Sequence, residues 1–304
     1  MLIPEQDGLR VEAPAKINVD LKVLGREESG YHQIETHFAA IGLSDVLTIS
    51  RAESGLELVV DGAELGDARD NLVYRAAAAF LSETGTAGGA SMHLHKNIPS
   101  GAGLGGGSSD AASTLRLLSE LYGNPVPEEA LHEIARGLGA DVAFFLSPHP
   151  SALGFDKGDR LVPIDPLPST AVVLALPPIH VSTAKAYEML ADSRGGEAAT
   201  TADERGEVVN VRRVPDWERA ARDASNDFEE VIFDLHPSLG VLRNEIEETG
   251  AFLARLSGSG AAVFGLFEGD GAAAEAAEKL TESFPAVTLL KTETLTEWPR
   301  PHPV

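Results

Sequence analysis

The chain has no cysteine in 304 residues, seven lysines among its 24 basic residues, two tryptophans and three methionines. Without cysteine there are no disulfides and no thiolate chemistry, and a reducing cytoplasm is permitted. No apolar run approaches the roughly eighteen residues of a membrane span. The opening MLIPEQDGLRVEAP lacks the basic and apolar regions of a signal peptide. Basic residues are scarce against 47 acidic ones, and the net charge is −23. That charge argues against nucleic acid or an anionic membrane as a general partner. Salt screens charges beyond about 8 Å, so local donors can still hold a phosphate. An acidic, lysine-poor surface suits a high-salt cytoplasm; simple solubility accounts for it equally well. No repeat and no zinc-ligand spacing occurs. His93 and His95 share a strand face, but two ligands without a third read as surface residues.

The chain contains 43% hydrophobic and 23% charged residues, enough for a full core in one or two domains. The most informative stretch is KNIPSGAGLGGGSSDAA, Lys96 to Ala112. Before it, Ala90, Met92, Leu94 and Ile98 alternate with polar residues as in a strand. After it, Ala111, Leu115, Leu118 and Tyr122 fall on one helical face. The glycines therefore sit on a strand-to-helix turn. There the unpaired N–H groups and the macrodipole of a helix start favour an anion. Glycine lets the backbone approach a phosphate closely, and Ser108 and Ser109 add hydroxyls able to reach a phosphate or Mg²⁺. A flexible glycine-serine linker is the plain alternative. A Walker A loop is excluded because no lysine follows the glycines. The formal G-x-G-x-x-G match lacks its acidic ribose partner.

Around this loop the chain reads as strands and helices. Ala15, Ile17, Val19, Leu21 and Val23 alternate with Lys16, Asn18, Asp20 and Lys22, so Lys16 and Asn18 share one face. Pro14 marks a strand start or an edge. Residues 41–49 and 56–60 read as a hairpin. Asp70 is expected to cap a helix over 71–82, and a second helix spans 127–138 and stops at Gly139. Asp141 opens an apolar run, where a helix cap would be its ordinary role. Pro163, Pro166 and Pro168 suggest a domain boundary, followed by a second α+β unit. Residues 195–207 read as a mobile loop. Ser257 to Gly260 join two strands, and the last eight residues, EWPRPHPV, read as loose.

The loop resembles the ATP loop of the GHMP kinases, in the form P-x-[GS]-x-G-L-G-G-G-S-S-[DN]-A-A. Further segments resemble this family in order: PAKIN at Pro14, GYH at Gly30, DNLVYRAA at Asp70, GADVAFF at Gly139, VSTAKAY at Val181 and LSGSGAAVFGLF at Leu256. The resemblance implies a two-domain α+β fold, with an ATP-binding domain over 1–162 and a ferredoxin-like domain over 163–304. It implies ATP as co-substrate, with Mg²⁺. The ATP contacts would be Lys96, Pro99, Ser100, Gly101, Ala102, Gly103, Leu104, Gly105, Gly106, Gly107, Ser108 and Ser109. Asn71 would touch adenine or ribose, or simply start a helix. Asp141 would be the base, with Lys16 beside it.

The GYH and VSTAKAY segments are similar to those of family members whose small acceptor carries a cytidine diphosphate. They imply a cytidine pocket in which Tyr31 stacks, His32 and Thr183 hydrogen-bond, and Tyr187 stacks or packs in the core. Asn18 would lie on the substrate side. The family often has G-x-G-E where this chain has GFDKGD, so Asp156 stands in a glycine position. A kinase acting on homoserine, mevalonate or a sugar, or a silent ATP-binding protein, is the alternative.

Overall fold

The computed structural model describes residues 8–26, 32–62, 66–194, 214, 216–222 and 224–304. The stretch 195–207 and Tyr31 lie outside them. The first part of the chain builds β1 (Gly8–Arg26), β2 (His32–Ala52), β3 (Gly55–Asp61), α1 (Leu72–Thr84), β4 (Gly89–His95), α2 (Gly106–Leu121), α3 (Glu128–Leu138), α4 (Val142–Phe145), β5 (Ser151–Phe155) and β6 (Arg160–Pro163). The second builds β7 (Ala171–Leu176), α5 (Thr183–Ser193), α6 (Trp217–Arg222), α7 (Phe228–Leu235), α8 (Pro237–Glu248), β8 (Leu253–Leu256), β9 (Val263–Phe267), α9 (Asp270–Ser283), β10 (Thr288–Glu293) and β11 (His302–Pro303). Among the described residues no helix is long and apolar enough to cross a membrane.

The described strands form two sheets. One runs β11-β1-β2-β4-β3, with β5 on β2 and β6 on β5; the other runs β10-β7-β9-β8. The alternation in β1 turns Ala15, Ile17 and Val19 into a layer shared with Val172, Leu174 and Phe264 of the second sheet. That leaves Lys16 and Asn18 on the opposite face. A separate core lies between the first sheet and its helices, where Leu47, Ile49 and Leu94 meet Phe80, Leu115 and Leu118. Full burial of each such side chain is worth about 1.5–3 kcal/mol. These two cores fix the strand β1 and the helix α2 that carry the loop chemistry.

Four expectations change. First, β2 and β3 are not a hairpin: β4 lies between them, antiparallel to β2 and parallel to β3. Parallel neighbours need a crossover, and α1 supplies it. Second, Pro14 does not start a strand but lies inside β1, on the edge that β11 leaves unpaired beyond Arg10, where the register with β2 slips between Pro14 and Ala15. At a bulge its missing N–H is tolerated.

Third, the helix cap is Asn71, not Asp70: the Asn71 side-chain oxygen accepts the Val73 N–H at 2.9 Å. Fourth, the last residues are not loose. The Leu295 N–H donates to the Ala40 carbonyl at 2.9 Å, Trp298 packs on the first core, and β11 pairs with β1 at Leu9–Pro303 and Arg10–His302. The chain after Pro163 thus builds the second sheet and then returns to the first.

Candidate active site

The residues from Ser100 to Gly105 turn through left-handed backbone at Gly101, Gly103 and Gly105, with φ of 70°, 79° and 69°. Helix α2 then starts at Gly106 with no side-chain cap on its N–H groups. Those donors face a cleft of about 440 Å³, as an anion-binding helix start requires. Space is also limiting. A Cβ on Gly103 would run into the Ser257 carbonyl, and one on Gly105 would meet Lys16 Cγ at 3.0 Å and the Phe145 ring at 3.1 Å. The loop is held from both sides: the Lys16 N–H donates to the Leu104 carbonyl at 2.9 Å, and Ser257 Oγ donates to the Gly103 carbonyl at 3.0 Å.

Lys16 and Asn18 line the cleft from β1, opposite Asp141 at the start of α4. Lys16 is 3% exposed. Its Nζ donates to Asn18 Oδ1 at 2.6 Å and stands 3.5 Å from Asp141 Oδ2. Asn18 Nδ2 donates to Thr36 Oγ1 at 2.8 Å, and Thr36 donates to the Asp20 carbonyl at 2.7 Å. This chain fixes the amide and presents its oxygen to the lysine. The Asp141 side chain caps nothing and is one third exposed, so it can meet a ligand.

A second ionic group forms the wall near α2. Lys96 Nζ is bound by Asp45 and, at 2.7 Å, by Asp110. Asp45 Oδ1 also accepts the Asn97 and Ile98 N–H groups at 2.5 and 2.8 Å. Burial alone would lower the Lys96 pKa, but the two carboxylates outweigh it and raise it. Burial pushes Asp110 up to about 7; Lys96 opposes this and Asp45 adds to it. The Lys96 shift is that of an ammonium held by carboxylates, while the Asp110 shift is set first by burial and only then by its neighbours.

The opposite wall comes from the second part of the chain. Tyr187 packs edge-on against Phe228, with ring centres 4.8 Å apart. It also stacks on His32, with centres 4.5 Å apart and planes 16° apart. Burial, with a smaller contribution from the charge of Asp141, raises the Tyr187 pKa to about 12, so the phenol keeps its proton. Thr183 Oγ1 and Ser259 Oγ lie 3.0 Å apart. Asn226 donates to the carbonyls of Leu256 and Gly258, both at 2.8 Å, and so pins the turn that carries Ser259.

Of the residues singled out in the sequence, the cleft gathers Lys16, Asn18, Lys96, every residue from Pro99 to Ser108, Asp141, Thr183 and Tyr187. His32 joins through its stack on Tyr187. Three differ. Asn71 spends its side-chain oxygen on the α1 cap, and its neighbour Leu72 lines the cleft instead. Ser109 faces a different cavity, with Arg116 and Trp298, because successive residues of a helix point about 100° apart. Tyr31 lies outside the described residues. Leu72, Ile98, Phe228 and Ser259 also line the cleft. Their apolar or small side chains carried no chemical signal of their own.

The family fit is independent of this geometry. Residues 71–148 match the GHMP kinases N terminal domain and residues 208–286 the GHMP kinases C terminal domain. The chain is 39% identical over 273 residues to a 4-diphosphocytidyl-2-C-methyl-D-erythritol kinase of Solibacter usitatus (strain Ellin6076), covering 90% of this chain and 85% of that protein. It superposes on a crystal structure of 4-(cytidine 5'-diphospho)-2C-methyl-D-erythritol kinase with a TM-score of 0.75 at 35% identity, over 94% of this chain and 98% of that one. A homoserine kinase from Cytophaga hutchinsonii gives a TM-score of 0.72 at 19% identity, over 99% of each chain. At that identity only the fold is shared.

Proposed function

The chain belongs to the GHMP kinases, and from that premise we propose that it transfers the γ-phosphoryl group of ATP to the 2-hydroxyl of 4-diphosphocytidyl-2-C-methyl-D-erythritol, a step of the non-mevalonate route to isoprenoid precursors. The observation that carries the reading is the Lys16–Asp141 pair at 3.5 Å, set in the same cleft as the capless start of α2. The substrate class rests on the relatives named above.

In this reading the N–H groups at Gly106 and beyond cradle the phosphates, and glycine admits them closely. Asp141 accepts the hydroxyl proton as the oxygen attacks. General-base help of this kind is worth about 10²–10⁴-fold. Of the three Lys16 N–H donors, one is committed to Asn18. The others face the base and the phosphoryl group in flight, where they offset growing negative charge. Transfer is direct and in line, so positioning and charge neutralisation supply the remaining acceleration.

Ser108, at the start of α2, lines the cleft and would hold a magnesium ion together with phosphate oxygens and water. Such an ion typically uses one or two protein oxygens plus phosphates and water. When bound with ATP it would neutralise phosphate charge. The cytidine base would lie at the His32–Tyr187 wall, with Thr183 as a hydrogen-bond partner. We put the domain boundary at 162/163, one residue before the end of β6; β11 is the later strand that returns to the first sheet.

The test is ADP release from Mg-ATP with the diphosphocytidyl erythritol, mevalonate, homoserine and galactose as acceptors. Turnover confined to the cytidyl compound is expected. Turnover with another acceptor alone would overturn the substrate. Absence of turnover with ATP still bound would make the chain a silent ATP-binding protein.

A further inference from the structure

Asp141 is carried by the shortest helix of the cleft. Helix α4 is a single turn, Val142–Phe145, and a helix of that length has no stability of its own. With no cap bond from Asp141, the position of the carboxylate depends on what α4 packs against. On one side Phe144 stacks on Phe38, with centres 4.9 Å apart, and the Phe38 ring lies 5.6 Å from Lys16 Nζ. On the other side stands Trp298, from the closing segment of the chain. Its ring meets Phe144 edge-on at 5.6 Å and Phe145 at 6.0 Å. Phe145 in turn lies against Gly105 and next to the Lys16 stem.

The end of the α4 turn is tied at one point. The Ser147 carbonyl accepts the Trp298 Nε1–H at 2.8 Å and an Arg116 N–H at 3.1 Å. The Arg116 guanidinium also sits over the Trp298 ring, 5.3 Å from its centre. Arg116 comes from α2, the helix whose start forms the phosphate site. Trp298 is anchored in turn by β11 on β1, the strand that carries Lys16. One side chain thus touches the elements that present the base and the phosphate cradle, and the segment that carries it pairs with the strand of the lysine.

We infer that Trp298 is a positioning residue of the phosphoryl-transfer site, holding Asp141 and, through Phe145, the Lys16 stem in register. The inference rests on the roles given above to Asp141 and Lys16. It explains why residues with no polar business in the cleft are packed so closely behind it. A ring removed here lets α4 shift, and shifts on the order of 1 Å can cost about 10²-fold in rate. It would leave the cleft's own binding surface intact.

The experiment compares wild type, Trp298→Phe and Trp298→Leu in the full chain, with rates normalised to ATP-binding sites counted by titration. Trp298→Leu is expected to lower kcat about tenfold or more, with KM for ATP and acceptor within about twofold. Trp298→Phe keeps a ring but loses the Ser147 bond, and its kcat should fall between the two with KM again within about twofold. It is also the decisive variant if Trp298→Leu does not fold.

Unchanged normalised kcat would overturn the inference. So would a loss that appears only in KM, or only in the count of folded sites. The wild-type control separates the two readings. If wild type uses a different acceptor, the substrate assignment fails and the same ratios are read with that acceptor. If wild type turns over none, the positioning inference falls together with the kinase reading.

Discussion

Lys16 and Asp141 stand 3.5 Å apart across the cleft, and only one of them is fixed by hydrogen bonds. Lys16 is buried and tied to Asn18 at 2.6 Å. Asp141 is partly exposed and makes no helix-cap bond. A rigid cation thus faces an adjustable carboxylate, an arrangement that suits the proton-accepting role proposed for Asp141.

Asp141→Asn follows directly. The amide has the same shape but cannot accept the hydroxyl proton. Turnover is expected to fall about 10²–10⁴-fold, while ATP binding by titration and the far-UV dichroism spectrum stay at wild-type values. Because Asp141 caps nothing, unfolding should shift little. Turnover within threefold of wild type would remove the base assignment.

Asp110 gives a prediction of stability against pH. Its folded pKa is raised from 3.8 to about 7, chiefly by burial, so the folded state holds this proton more tightly than the unfolded chain. The stabilisation from that proton is complete below about pH 4 and is lost as pH rises through about 7. Asp110→Asn cannot ionise. Its unfolding midpoint, taken relative to wild type at each pH, should therefore rise as pH goes from 5 to 8. A difference that shrinks over that range would show Asp110 ionised at little expense in the folded protein.

His37 works in the opposite direction. It is fully buried beside Ser151, 3.1 Å from its hydroxyl, and burial lowers its pKa from 6.5 to about 4. The folded state resists protonation, so stability is whole above pH 6.5 and declines as pH falls toward 4. The loss is about 1.4 kcal/mol per pH unit, or roughly 3 kcal/mol over the window. His37→Gln can still bond Ser151 but takes up no proton. Urea titrations at pH 7 and pH 4.5 should show a smaller acid-induced drop for the variant. Equal drops would place the acid sensitivity elsewhere.

How much of this was readable in the sequence depends on range. The strand faces of β1, the start of α2 and the glycine turn are local features, set by alternation and backbone permissiveness, and they could be read directly. The neighbour of β3 could not. Alternating Leu56, Leu58 and Val60 fixes which face is apolar, not whether β2 or β4 lies alongside. The closing segment read as loose for a similar reason: its prolines break local patterns, while its anchors are Ser147, Ala40 and β1, all distant in the chain. Ser109 was drawn into the phosphate site by adjacency to Ser108, although helical rotation turns it to another cavity. Asp156 shows the converse. It stands where the family often has glycine, yet it takes left-handed backbone at φ 61°, a conformation Asp tolerates better than most residues. Its carboxylate accepts the Arg160 Nε–H at 2.8 Å.

Gly103 tests whether the loop needs glycine for space or only for flexibility. Its φ is 79°, and a Cβ would meet the Ser257 carbonyl, which belongs to the turn facing the loop. Alanine there carries a left-handed backbone penalty of about 1–2 kcal/mol. It also forces the Ser257–Gly260 turn away from the loop, breaking the bond from Ser257 Oγ to the Gly103 carbonyl. Gly103→Ala should therefore raise KM for ATP about tenfold and lower kcat as well, since both phosphate cradle and turn move. Gly107→Ala is the comparison. Gly107 lies in the first turn of α2, where a Cβ would meet only Leu72, at an ordinary 3.4 Å, and alanine favours the helix by about 0.5–1 kcal/mol. If Gly107→Ala raises the unfolding midpoint and still weakens ATP, the methyl group occupies space the phosphates need. If it stabilises the fold and leaves ATP binding unchanged, the close approach is made at Gly103 to Gly106 alone. Wild-type ATP binding in Gly103→Ala would mean that the contact between turn and loop has no part in holding the nucleotide.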